Sequence, residues 1–174
     1  MNTKRVCIDG LGIALFVTLS LCLRVPVFEN YYLWLGYIVM AVYCYSIGIL
    51  DGILVGTLGT ILYCFLINGL RGMPGWSLGN VVIGLILGIA FKYSKMLKNK
   101  FFQYVLCVIA IVLACLFGIL GVKSIVEVFL YAQPFVLRTA NNIYAFISDV
   151  VVLVISIPLC TFLDLRVKNF NRES

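Results

Sequence analysis

The 174-residue sequence predicts an all-α integral membrane protein: a compact bundle of six transmembrane helices with both termini in the cytoplasm. Three observations carry that prediction. Apolar residues make up 63% of the chain and charged residues 11%, where a soluble domain carries about 25% charged residues. A soluble fold of this composition has too little polar surface to cover itself. Apolar runs approaching the roughly 20 residues needed to cross a hydrocarbon core of about 30 Å recur along the chain, separated by short loops. Finally, lysine and arginine are divided unequally between alternate loops, as membrane topology requires.

The first apolar run, residues 6–23, follows Lys4 and Arg5. Its charge pattern is that of a signal peptide, but Asp9 interrupts the core and Leu21 is large where a cleavage site needs a small residue, so the run reads as an uncleaved first helix. Further helices are expected over 31–50, 52–70, 76–93 and 101–122. The last uninterrupted run, Val150 to Leu163, is too short to cross alone, so a sixth helix over 141–163 must carry Asp149 inside it. Between the fifth and sixth lies 125–137, apolar, short and broken by Pro134, which suits an interfacial or re-entrant segment.

With the amino terminus inside, the inner side holds Lys4, Arg5, Lys92, Lys95, Lys98, Lys100, Arg166, Lys168 and Arg172. The outer side holds Arg24, Arg71, Lys123 and Arg138. Nine cations against four predict an N-in, C-in chain in the cell membrane of a bacterium. The net charge of +6 then follows from topology. The basic residues stand between apolar runs rather than in a patch interleaved with aromatics, so the expected surface partner is the lipid bilayer and not nucleic acid.

Catalytic chemistry is missing from the sequence. Seven cysteines lie in apolar segments with no CxxC pair and no histidine anywhere, which reads as small hydrophobes; no metal or other cofactor is expected. No GxxxxGK phosphate loop occurs, and the carboxylates are scattered, so the chain is expected to be no enzyme and to carry no ATPase of its own.

Polar residues instead gather towards the outer ends of the helices, where they are costly unless they face a cavity or each other. Trp34 belongs to the first outer segment, Arg71, Trp76 and Asn80 to the second, and Glu127, Tyr131, Asn141 and Asn142 to the third. Ser124, Glu127, Tyr131 and Arg138 can share one face of a short helix, and Asn142, Ala145, Asp149 and Ser156 one face of the sixth. An outward cavity built from these residues would stack a ring on Trp76. The asparagines would meet ring heteroatoms, and Arg71 an anionic group. Tyr37, Tyr43, Tyr45 and Tyr63 read as interfacial belt or core. Small residues every fourth position, Gly10, Ala14, Thr18 and Cys22 on the first helix and Gly52, Gly56 and Gly59 on the third, mark faces of close helix approach, as do Gly84 and Gly88 on the fourth.

Three segments of the chain together resemble a known family. Ala14-Leu15-Phe16-Val17-Thr18-Leu19-Ser20 is followed by Leu23-Arg24-Val25-Pro26 and Leu35-Gly36. Next come the glycines at 48, 52, 56 and 59, and then Pro74-Gly75-Trp76-Ser77-Leu78-Gly79-Asn80 leading to Gly84 and Gly88. This pattern over residues 14–93 resembles the S component of an energy-coupling factor (ECF) transporter. Many members carry an acidic residue after the last glycine of the third helix, where this chain has Thr60. The resemblance implies a substrate-capture subunit of an ATP-driven importer. Such a subunit binds a small-molecule vitamin from outside and delivers it to a coupling transmembrane subunit driven by two ATPase subunits. Its partner-docking row corresponds here to Gly10, Ala14 and Thr18. A self-sufficient small transporter or a structural membrane subunit is the competing reading; a lone transporter would show inverted repeats, and none is visible. The outer aromatics suit a flavin, pterin, pyrimidine or pyridine ring.

Overall fold

The computed structural model describes residues 3–22, 24–28, 31–68 and 73–173, with side chains placed for all of these but 24–28, 31–32, 68 and 165–173. The chain runs through α1 (Thr3–Cys22), a hairpin of β1 (Arg24–Phe28) and β2 (Tyr31–Trp34), then α2 (Gly36–Ser46) and α3 (Ile49–Tyr63). It continues through α4 (Met73–Ser94), α5 (Lys100–Cys115), α6 (Ser124–Tyr131) and α7 (Phe135–Glu173). Two π-helical segments are interposed: Cys64–Asn68 prolongs α3, and Leu116–Lys123 joins α5 to α6 without a break.

Among the described residues five helices are long and apolar enough to cross a membrane, and a sixth, Gly36–Ser46, is short. This corrects the expected second helix over 31–50. Residues 31–34 are extended and pair antiparallel with β1, Trp34 opposite Arg24 and Leu33 opposite Val25. Tyr31, Tyr32 and Trp34 favour a strand as readily as a helix. The 11 residues of α2 rise only about 16 Å, so β2 and α2 together cover what one long helix was expected to cover.

The segment 125–137 is also not a separate re-entrant piece. Its first part belongs to the long helix that starts at Lys100, and its last part opens α7. The break falls where proline predicts it: Ala132 takes a left-handed conformation at φ 51°, and Pro134 precedes Phe135 because its ring fits a helix start and not a helix interior. At the other end of this unit Asn99 caps α5, its side chain accepting from the Phe101 N–H at 3.0 Å.

Phe16, Tyr37, Met40, Ile83, Ile111 and Leu153 are wholly buried where the helices meet. Leu11, Leu54, Leu58, Leu62 and Ile155 are exposed on the outside, an apolar exterior that only a bilayer would cover. Helices approach closely where glycine removes the side chain. A Cβ on Gly52 would collide with Cys44 Sγ and lie 2.8 Å from the Cys44 backbone N. A Cβ on Gly79 would lie 2.8 Å from the Gly118 carbonyl on the π-helical segment.

One end of the bundle is held by ion pairs. Arg5 Nε and an Nη donate to the two carboxylate oxygens of Asp51 at 2.6 and 2.7 Å, joining α1 to α3. Lys95 Nζ donates to Asp164 at 2.8 Å and to the Tyr45 carbonyl, joining the segment after α4 to α7 and α2. The Arg5 side chain is 53% exposed, whereas that of Asp51 is 1% exposed. Removing the arginine strands a buried charge, while removing the carboxylate frees an arginine that water or headgroups can solvate. Arg5→Ala is therefore expected to lower the thermal midpoint of the purified protein in detergent more than Asp51→Asn does. An equal or reversed order would show that loss of Arg5 does not leave Asp51 stranded as a buried charge.

Candidate functional site

At the end opposite those ion pairs, three large rings from three elements meet. Trp34 of β2 stands 4.9 Å from Tyr63 of α3 and 4.7 Å from Trp76 of α4, centroid to centroid, and Tyr63 and Trp76 lie 5.8 Å apart. All three contacts are edge-to-face, the arrangement that aromatic quadrupoles favour. The ring cluster is tied downward by a run of hydrogen bonds. Trp76 Nε1 donates to the Tyr37 hydroxyl at 2.8 Å, and that hydroxyl donates to Asn80 Oδ1 at 2.7 Å. Asn80 Nδ2 in turn donates to Thr60 Oγ1 at 2.6 Å and to the Gly56 carbonyl at 3.0 Å.

The arrangement follows from helix register. Trp76 and Asn80 are one turn apart on α4, as are Gly56 and Thr60 on α3, so two i, i+4 pairs face each other across the gap. Glycine at 56 keeps the backbone carbonyl within reach of the amide. Thr60, at the position where the resembling family often has an acid, donates to Gly56 at 2.8 Å and accepts from Asn80. Both Asn80 N–H groups are thus engaged by the protein.

A second cluster adjoins the first through Gly75. An added Cβ there would stand 3.3 Å from Glu127 Cγ and 3.2 Å from the Lys123 carbonyl, so glycine lets α6 settle against the start of α4. Asn142 of α7 donates to Glu127 Oε2 at 3.0 Å and to Ser124 Oγ at 3.0 Å, and all three side chains are buried. Across the Ala132 turn, the Arg138 guanidinium lies over the Tyr131 ring at 4.1 Å from its centroid. Arg138 therefore sits on α7 rather than on one short helix with Ser124, Glu127 and Tyr131, and it meets Tyr131 through the turn. The π-helical segments border both clusters; such segments recur at functional sites because they widen the helix and redirect side chains.

The structure thus gathers Trp34, Trp76 and Asn80 in one cluster and Glu127 and Asn142 in its neighbour, with Tyr131 at the edge under Arg138. Asn141 is exposed and turned away from its buried neighbour Asn142. Arg71 lies outside the described residues. Sequence reasoning placed Tyr37 and Tyr63 in belt or core; both are core, but nothing in their spacing reveals that one hydroxyl links Trp76 to Asn80. Nor did it include Thr60, whose only signal was its place after Gly59.

The small-residue row of α1 lies elsewhere. Gly10, Ala14 and Thr18 are exposed, and the buried side of α1 is Gly12, Phe16, Val17 and Ser20. A cavity of about 400 Å³ opens at the ion-paired end, lined among others by Tyr45, Gln103, Tyr104, Ile157 and Asp164. Its polar groups include two already paired ones, Gln103 donating to the Tyr45 hydroxyl at 3.1 Å and Asp164 accepting from Lys95.

A UPF0397 protein of Streptococcus thermophilus is 28% identical over 166 residues, covering 88% of this chain and 90% of its own length. A UPF0397 protein of Lactococcus lactis is 32% identical over 103 residues, covering 58% of this chain and 55% of its own. The family of the ECF-type riboflavin transporter, S component, matches residues 1–164. With its apolar helices and bacterial relatives, the chain is a multi-pass bacterial membrane protein, and it belongs to the family of the ECF-type riboflavin transporter S component.

Proposed function

We propose that this protein is the substrate-capture subunit of an ECF importer and that its ligand is a flavin, riboflavin being the compound named for the family it belongs to. The observation that supports the reading best is the convergence of Trp34, Tyr63 and Trp76 from three elements at one end of the bundle. Polar side chains stand directly beneath them. Aromatic walls with a few orienting polar groups are the usual make-up of a small-molecule site, and a flat tricyclic ring is the shape that such walls stack.

The lysine and arginine distribution orients this end outward and the Arg5 and Lys95 end towards the cytoplasm, so ligand would enter from outside past β1 and β2. Asn80 then serves by holding Tyr37 and Trp76 in place, since its N–H groups are engaged, while Trp34 and Trp76 offer the ring surfaces. Glu127 and Asn142 fasten α6 and α7 beside α4 and define the far wall. With neither a phosphate loop nor a nucleophile motif, transport is driven by the coupling subunit and ATPases that dock elsewhere.

The chain contains only two tryptophans, Trp34 and Trp76, so the test is direct. Riboflavin titrated into the purified protein in detergent is expected to quench most of the tryptophan emission saturably, at one ligand per chain. Trp76→Phe is expected to lose much of that quench. Emission that declines only by the inner-filter absorbance of free riboflavin would reject the flavin reading.

A further inference from the structure

Beneath the aromatic cluster lies a carboxylate that the reading above does not use. Asp149 is 2% exposed and sits seven residues, about 10 Å of helix rise, deeper along α7 than Asn142. Its Oδ1 is buried and has no hydrogen-bond partner among the described residues. Its other surroundings are Tyr37, whose hydroxyl is within hydrogen-bonding reach of the carboxyl, and Lys123 and Cys115 of the α5 to α6 stretch, whose charge or polarity acts on it.

Proton counting shows that this oxygen waits for a donor. The Tyr37 hydroxyl has one proton for two acceptors, Asn80 Oδ1 at 2.7 Å and the Asp149 carboxyl within its reach. The same hydroxyl accepts from Trp76 Nε1. If Asp149 is ionised, neither of its oxygens receives the Tyr37 proton while Asn80 holds it. If Asp149 is protonated, one oxygen can donate to Tyr37, and Oδ1 remains an acceptor without a donor. In both states a buried acceptor within the membrane stands unsatisfied by the protein, a cost that native structures meet with a bound partner or an ordered water.

We infer that Asp149 Oδ1 accepts a hydrogen bond from an N–H or O–H of the bound ligand, making Asp149 the specificity-determining residue at the floor of the site. The inference rests on the flavin reading and deepens it. Trp34 and Trp76 recognise any flat ring, whereas Asp149 selects one that carries a donor. A flavin offers two kinds of donor, the imide N–H of the isoalloxazine ring and the hydroxyls of its ribityl chain. Ligand entry on this account needs no new polar partner for Asn80 or Asn142, because their N–H groups are already engaged and the unsatisfied atom is Asp149 Oδ1.

The experiment is a cycle of ligand and residue changes. Kd values from tryptophan quenching are measured for riboflavin, for N3-methylriboflavin (imide N–H capped) and for lumiflavin (ribityl hydroxyls removed), on the wild-type chain and on Asp149→Leu. On the wild-type chain one of the two altered flavins is expected to bind about tenfold or more weakly than riboflavin, the loss of a hydrogen bond to a charged or buried partner. In Asp149→Leu that same penalty is expected to shrink to within about twofold, because the partner is gone. Coupling to either donor supports the inference and identifies which one meets Asp149. Equal penalties in both proteins, with riboflavin still bound, overturn it and leave Asp149 a structural residue or the host of a buried water. Should Asp149→Leu not fold, the wild-type series still decides: no penalty from either altered flavin overturns the inference while the flavin reading stands. Failure of the wild-type chain to bind riboflavin at all rejects both.

Discussion

Uptake of riboflavin by cells that also express a coupling subunit and its ATPases is expected to fall to background when Ala14 is replaced by tryptophan. Ligand binding by the isolated Ala14→Trp chain should stay within about twofold of wild type, as for surface changes in general. Gly10, Ala14 and Thr18 are all exposed on α1, and a Cβ added at Gly10 would meet nothing within 4 Å. The row therefore has room for large side chains as far as this chain is concerned. Its Thr18 hydroxyl is turned back onto the Ala14 carbonyl at 2.8 Å, which keeps the surface there smooth and without a free donor. Small residues at four-residue spacing allow another helix to approach backbone to backbone, and an indole in the middle of the row prevents that approach. Co-purification of the coupling subunit with a tagged S component should fail in parallel. If uptake and co-purification persist in the tryptophan variant, the docking surface is not this face of α1.

Gly52→Val is expected to prevent recovery of folded protein, the largest stability effect foreseen for a single substitution here. Gly52 faces the last turn of α2. A Cβ there meets Cys44 Sγ, the Cys44 backbone N at 2.8 Å and the Cys44 Cα at 2.9 Å, so two of its three nearest contacts are with backbone that cannot rotate away. Valine adds two further carbons to that contact, and α2 and α3 would have to separate. Overpacking of this kind costs about 1–3 kcal/mol or more even where side chains can give way, a large share of the roughly 5–15 kcal/mol by which proteins are stable. Moving α3 also displaces Gly56 and Thr60, and with them the partners of Asn80. The measurement is monodisperse yield and thermal midpoint in detergent, with Gly10→Val as the matched control that should behave as wild type. A Gly52→Val protein as stable as that control would show that α2 and α3 do not make this contact.

Much of the architecture was legible because its cause is local. Apolar run length registered the bilayer, Pro134 marked the break before α7, and glycine spacing marked the faces where α2, α3 and α4 approach. The second apolar run misled because Tyr31, Tyr32 and Trp34 are as hydrophobic in a strand as in a helix, and hydrophobicity alone does not separate the two. The continuous helix through 116–123 was hidden for a related reason: a π-helical stretch shifts register without changing composition.

The site divides in the same way. That Trp34, Trp76, Asn80, Glu127 and Asn142 belong to one end of the molecule was readable, since polar and aromatic residues in apolar helices must collect where they can be satisfied. Their assignment to roles was not. Sequence spacing tells which residues share a helix face, but a hydrogen bond between helices depends on rotation and depth, set only when the helices pack. Packing gives both Asn80 N–H groups to Gly56 and Thr60, joins Tyr37 to Trp76, and sends Asn142 to Glu127 and Ser124. It also leaves Asp149 Oδ1 without a partner among the described residues. The sequence by itself determined a membrane bundle with a polar, aromatic end and a small-residue row on α1, because composition and periodicity act within one helix. Only the tertiary structure decided that the row faces outward and that the asparagines are held by the protein, because each of those depends on which helix lies opposite.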